Sequence, residues 1–167
     1  YLRRNLLMSH ACGAELHAAS TIPGLAVASA AQLARHKLTT GRFPMVIAAG
    51  GSSPLGTVGY GNAAFELQRQ HEGGVLPMPE RIYVPLGSMG TAVGLMLGLR
   101  VLKMPVHVVG VRVVDERFVS ARMMSRLFAR TSALLHARDS SFPRLELVEK
   151  KIDIRGAFFG ECYARFT

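Results

Sequence analysis

The chain has 167 residues, 49% hydrophobic and 19% charged, with 17 glycines and eight prolines. That length suits one full domain or part of a larger protein, and the composition excludes a disordered or low-complexity chain. Twenty basic against eleven acidic residues give a formal charge of +9, yet the arginines are scattered along the chain, which argues against a nucleic-acid-binding domain.

The chain opens on Tyr1 and stops at Thr167 after a turn-like segment, so a partial chain is expected. The apolar stretch after Arg3 and Arg4 is broken by Asn5, Ser9 and His10, and no signal peptide is visible. Asn5–Cys12 reads as a short helix closed by Gly13, followed by a short strand at Ala14–Ala18. Ile22–Lys37 is an Ala-rich helix with Pro23 in its first turn. Phe43–Ala49 is a continuous apolar run between turn signals, the pattern of a strand buried on both faces. A Gly-rich loop from Gly50 to Gly61 then leads to a helix at Asn62–His71.

The pattern repeats with a strand at Arg81–Leu86, a turn at 87–91 and an apolar helix at Ala92–Leu102. No membrane span is expected, since even Val93–Leu99 is closed off by Arg100 and Lys103. Another strand follows at Pro105–Val114, then a long helix at Phe118–His136 whose Arg122, Arg126 and Arg130 share one solvated face. Leu145–Lys151 and Ile152–Ile154 read as strand or extended chain. Apolar strands alternating with helices predict an α/β fold, a parallel sheet covered by helices on both sides. Ligands of such sheets sit beyond the carboxyl ends of the strands, where the two Gly-rich segments fall.

Gly87-Ser88-Met89-Gly90-Thr91 lies between a strand and a helix. Glycines allow close backbone approach, hydroxyls and successive N–H groups donate, and the helix dipole favours an anion, so the loop reads as a phosphate or carboxylate cradle. A tight turn with a Ser/Thr cap reads the same residues equally well. The segment is neither a Walker A loop nor a G-x-G-x-x-G fingerprint. The earlier loop, Gly50-Gly51-Ser52-Ser53-Pro54-Leu55-Gly56-Thr57-Val58-Gly59-Tyr60, has more glycines and hydroxyls than a connection needs, a weak signal of ligand contact. The two cysteines, Cys12 and Cys162, form no C-x-x-C and are expected as buried thiols. The six histidines show no metal-binding spacing, and His107 reads as a core residue of its strand.

Together, G-G-S-S-P-L-G-T-V-G-Y and L-G-S-M-G-T-A-V-G-L resemble the paired motifs of the D-cysteine desulfhydrase and 1-aminocyclopropane-1-carboxylate deaminase family. These are pyridoxal-phosphate enzymes with a tryptophan-synthase-β-like fold, a three-layer αβα arrangement. Gly160-Glu161-Cys162-Tyr163-Ala164 is similar to that family's G-E-G-Y-G segment, with Cys162 and Ala164 in place of glycines. The opening N-L-L-M-S-H-A-C-G-A-E-L-H also resembles the family's helix-then-strand leading out of the smaller domain, so the likeness spans almost the whole chain.

The resemblance implies that residues 1–43 end the smaller domain and cross over, and that 44–167 form the central part of the larger, cofactor-binding domain. It implies pyridoxal 5'-phosphate as cofactor, its phosphate held by Gly87, Ser88, Met89, Gly90 and Thr91. Gly51, Ser52 and Ser53 stand in a substrate or cofactor loop, Ser53 where the family has Asn, and Tyr163 matches the phenol placed near the substrate. It implies elimination and deamination of a small amino acid, giving keto acid, ammonia and, from D-cysteine, sulfide, with opening of 1-aminocyclopropane-1-carboxylate as the alternative. A cytoplasmic homodimer is implied, with no nucleic-acid or membrane partner. The family's Schiff-base lysine lies in a segment preceding these motifs. None of Lys37, Lys103, Lys150 and Lys151 stands in a comparable motif, so residues 1–167 alone are expected to be inactive, and a chain that binds phosphate without chemistry is a further alternative.

Overall fold

The computed structural model describes residues 2–160, which divide into two compact units with the boundary after Val46. In the first unit, α1 (Leu2–Ala11) begins three residues earlier than the sequence suggests. Cys12 follows it in an exposed position, a correction to the buried thiol expected there, because the helix before it is itself solvated. Residues 14–18 form no strand. α2 (Ile22–Thr40) starts where Thr21 accepts the Gly24 N–H at 3.1 Å and ends where Gly41 donates to the Lys37 carbonyl.

Phe43–Ala49 is also irregular, with Phe43, Met45, Val46 and Ile47 between 69% and 79% exposed. Strand pairing requires a neighbour to take the backbone N–H and C=O groups, and among the described residues none lies alongside this run. An apolar run states only that a segment is suited to burial.

In the second unit, α3 (Pro54–Glu72) begins eight residues earlier than expected, absorbing most of the Gly-rich loop. Ser53 supplies the cap and Pro54 the first turn, a pairing that starts helices well. Three strands follow, β1 (Arg81–Leu86), β2 (His107–Arg112) and β3 (Asp153–Arg155), all parallel and in the order β1-β2-β3. Arg81 pairs with His107 and Leu86 with Arg112, while Val109 pairs with Asp153. The connections run through α4 (Gly90–Val101) and α5 (Ala121–Arg138). Two crossovers of the same hand in the same direction place both helices on one face, and α3, α4 and α5 pack against one another there.

The covered face buries Val84, Leu86, Val93, Leu97, Met124 and Phe128. Along β1 the pattern alternates, with Val84 and Leu86 buried while Arg81, Tyr83 and Pro85 are exposed. The α/β class and parallel sheet are as expected, but among the described residues of this unit helices cover only one face. His107, expected in the core, is the first residue of β2 and half-exposed on the open side. Arg122, Arg126 and Arg130 lie on the exposed side of α5. No helix among the described residues is long and apolar enough to cross a membrane.

α3 and α4 are unusually close. A Cβ placed on Gly94 would lie 2.5 Å from the Thr57 carbonyl oxygen and 2.6 Å from the Tyr60 Cβ, and one on Gly98 would lie 2.5 Å from the Gly61 oxygen. Glycine in α4 therefore lets two backbones touch, which fixes the helix whose first turn forms the candidate site.

Candidate functional site

The site is built where β1 ends at Leu86 and the chain turns through Gly87, Ser88 and Met89 into α4. Met89 has φ 69° and ψ −17°, a left-handed conformation that costs a side-chain-bearing residue energy. Its side chain makes no capping hydrogen bond. The cap comes instead from 38 residues upstream, where the Ser52 hydroxyl accepts the Gly90 N–H at 2.9 Å. A Cβ on Gly90 would lie 2.6 Å from that hydroxyl, and one on Gly50, itself at φ 67°, would lie 2.5 Å from the Ser88 Cβ. The two Gly-rich segments of the sequence thus interlock.

Ser53, next in the chain, accepts the Gly56 N–H at 3.1 Å, and its carbonyl receives the Thr57 hydroxyl at 2.8 Å. Adjacent serines therefore cap two different helices, Ser53 its own and Ser52 a distant one.

Beside this junction lies an open groove of about 590 Å³ walled by Ala48, Ala49, Gly50, Ser52, Gly87, Ser88, Met89, Val114 and Phe118. Its size is that of a ligand cleft, and among the described residues no charged side chain lines it. Thr91 is half-buried in the first turn of α4, off the groove wall, and Gly51 is likewise off the wall. Tyr163 lies outside the described residues. The sequence reading missed four wall residues. Val114 follows the carboxyl end of β2, the position where ligands gather in parallel sheets, and was legible on that ground. Ala48, Ala49 and Phe118 carried no comparable signal.

The first helical bond of α4 runs from Val93 N–H to the Met89 carbonyl. The N–H groups of Gly90, Thr91 and Ala92 therefore have no helical acceptor, and Ser52 takes only the first. Two backbone donors and the positive end of the helix dipole remain for an anion, while the Ser88 hydroxyl, on the groove wall, donates a long 3.5 Å bond to the Gly50 carbonyl. The apolar walls at Ala48, Ala49, Val114 and Phe118 suit a flat aromatic ring. A neutral, glycine-lined cradle with backbone donors and apolar sides fits pyridoxal phosphate.

The opposite end of the strands differs. Arg81, Tyr83, His107, Asp153 and Arg155, together with Val109 and Phe158, line a groove of about 370 Å³ that carries charged groups on the open face. Arg155 Nε lies 2.7 Å and His107 Nε2 3.5 Å from the Asp153 carboxylate. The hydrogen bond from Arg155 holds the Asp153 carboxyl below its ordinary range, against a smaller upward push from burial. Lys150 and Lys151 border a groove at this end. Lys103 follows the far end of α4, about 18 Å from its first turn at 1.5 Å per residue. Lys37 donates to the Gly41 carbonyl within the first unit. Among the described residues no lysine lines the groove at the carboxyl ends. Among the described residues no cluster of His, Cys, Asp and Glu is arranged to hold a metal.

Residues 3–155 match the family described as pyridoxal-phosphate dependent enzyme. The chain belongs to that family. A solved structure titled as the ACC deaminase homologue superposes with a TM-score of 0.70 at 28% identity, over 90% of this chain and 43% of that one. The likeness to that structure accords with the parallel sheet and helices described above. A Pyrococcus horikoshii protein provisionally named a 1-aminocyclopropane-1-carboxylate deaminase is 34% identical over 116 residues, 70% of this chain and 34% of its own length. The D-cysteine desulfhydrase of Klebsiella pneumoniae is 39% identical over 82 residues, 49% of this chain and 24% of its own. The chain thus spans about a quarter to a third of these two relatives.

Proposed function

We propose that residues 44–167 belong to the domain that holds the cofactor phosphate of a pyridoxal-phosphate-dependent lyase or deaminase acting on a small amino acid. The observation that carries this reading is the junction of Ser52, Ser88 and the first turn of α4, which leaves the Thr91 and Ala92 N–H groups without an acceptor at the start of the helix that Gly87, Ser88 and Met89 lead into from the groove wall. Gly87 and Gly90 keep side chains away from the anion, Ser88 donates a hydroxyl, and the α4 dipole supplies the positive field that no side chain provides. Val114 and Phe118 give one side of the groove an apolar surface. Bound pyridoxal phosphate supplies an electron sink for charge developing at the substrate α-carbon.

Two reactions fit the family. The first is D-cysteine desulfhydration, giving keto acid, ammonia and sulfide, consistent with the Klebsiella relative. The second is ring opening of 1-aminocyclopropane-1-carboxylate, consistent with the Pyrococcus relative. On either reading an active protein needs a lysine that residues 1–167 do not bring to the groove. Tyr163 is proposed as the phenol near the substrate and 1–43 as the end of a smaller domain. A cytoplasmic homodimer completes the proposal.

The test is a cofactor titration of the purified full-length protein, followed by addition of D-cysteine or 1-aminocyclopropane-1-carboxylate. The reading expects saturable cofactor absorbance and release of sulfide from the first or a keto acid from the second. Failure to bind the cofactor would overturn it.

A further inference from the structure

We infer that Ser52 is a positioning residue for the phosphate site, acting by the choice of which N–H group it occupies. This rests on reading 87–91 as that site.

Three other helices show what an ordinary cap does. Thr21 accepts from Gly24 in α2, Ser53 from Gly56 in α3 and Ser120 from Met123 in α5. Each is the residue immediately before its helix, and each takes the third N–H of the first turn, the usual geometry of a local cap. α4 departs from this pattern at both points. The residue before it is Met89, which offers no oxygen, and the hydroxyl that replaces it reaches in from Ser52 to the first N–H, that of Gly90. The third N–H, that of Ala92, which a local cap would have consumed, is left without an acceptor, as is the second, that of Thr91.

The arrangement satisfies one orphan donor and holds the helix start in place while leaving the two donors an anion needs. It also explains two costly choices. Met89 adopts a left-handed conformation although it bears a side chain, which turns the backbone so that Gly90 faces Ser52. Gly90 has no room for a Cβ, since one would sit 2.6 Å from the Ser52 hydroxyl. A serine or aspartate at position 89 would restore a local cap and compete with the anion for the Ala92 N–H.

The experiment uses the full-length protein stripped of cofactor, with inorganic phosphate and pyridoxal phosphate as probes and two readouts, calorimetric affinity and amide hydrogen exchange at Thr91 and Ala92. In the wild type, phosphate should slow exchange at both amides. Ser52→Ala should weaken phosphate binding by about fivefold, the scale of one lost helix cap, and reduce that protection. Ser52→Thr, which keeps the hydroxyl, should recover most of the affinity. Ser120→Ala removes a local cap from α5 and should lower the unfolding midpoint without changing phosphate affinity. Wild-type affinity and protection in Ser52→Ala would overturn the positioning role while leaving the site intact. Absence of phosphate protection at Thr91 and Ala92 in the wild type would overturn the reading of the site itself, and the positioning role with it.

Discussion

Replacing Gly94 by alanine should destabilise the protein even though alanine is the better helix former. The added methyl would meet the Thr57 carbonyl oxygen at 2.5 Å, the Tyr60 Cβ at 2.6 Å and the Gly61 nitrogen at 3.1 Å. Two of these are backbone atoms of α3, so no rotamer change relieves the contact, and the helices must part by about 1 Å to regain ordinary separation. Overpacking of this kind costs about 1–3 kcal/mol, while glycine-to-alanine in a helix interior returns about 0.5–1 kcal/mol. A net loss of up to about 2.5 kcal/mol is therefore expected. Gly59 provides the contrast, since it is exposed within α3 and nothing lies within 4 Å of its added Cβ. Gly59→Ala should stabilise by about 0.5–1 kcal/mol. Urea unfolding of the three proteins measures both effects. Equal shifts of the same sign in the two variants would refute the claim that α3 and α4 meet through Gly94.

Gly50→Ala should lower cofactor affinity, because its Cβ would press on Ser88 and φ 67° costs a non-glycine residue about 1–3 kcal/mol; titration with pyridoxal phosphate checks this. Ser132 is 1% exposed, donates to the Pro143 carbonyl at 3.3 Å and accepts the Leu145 N–H at 2.8 Å. Ser132→Ala strands that N–H and should cost about 1–3 kcal/mol in urea unfolding. The depressed pKa of Asp153 makes its contribution full above the ordinary carboxylate range and lost as pH falls through the lowered value. Wild-type protein should thus lose an increment of stability below about pH 4 that Asp153→Asn, measured by acid unfolding, lacks.

The legible parts of the fold were those whose partners are local or present. Arg81–Leu86 was read with its bounds correct because a turn closes it on both sides and β2 lies beside it. Phe43–Ala49 looked equally strand-like, but an apolar run carries no information about whether a neighbouring strand lies within reach. Glycine disfavours helix in isolation, so the sequence of 50–61 points to loop. The gain that overrides this propensity, contact of Gly61 and Thr57 with Gly94 and Gly98, comes from residues more than thirty positions away. The same holds at the site. The turn at 87–91 was visible from its glycines and hydroxyls, whereas the use of Ser52 by one helix and Ser53 by another depends on a tertiary contact no local pattern encodes.

A crystal structure of the full-length protein with pyridoxal phosphate bound bears most directly on where the phosphate sits. The phosphate oxygens should lie within hydrogen-bonding distance of the Ser88 hydroxyl and the Thr91 and Ala92 N–H groups, with the Ser52 bond to Gly90 retained. A phosphate bound instead among Arg81, His107 and Arg155, at the opposite end of the strands, would contradict the assignment of the α4 junction as the cofactor site.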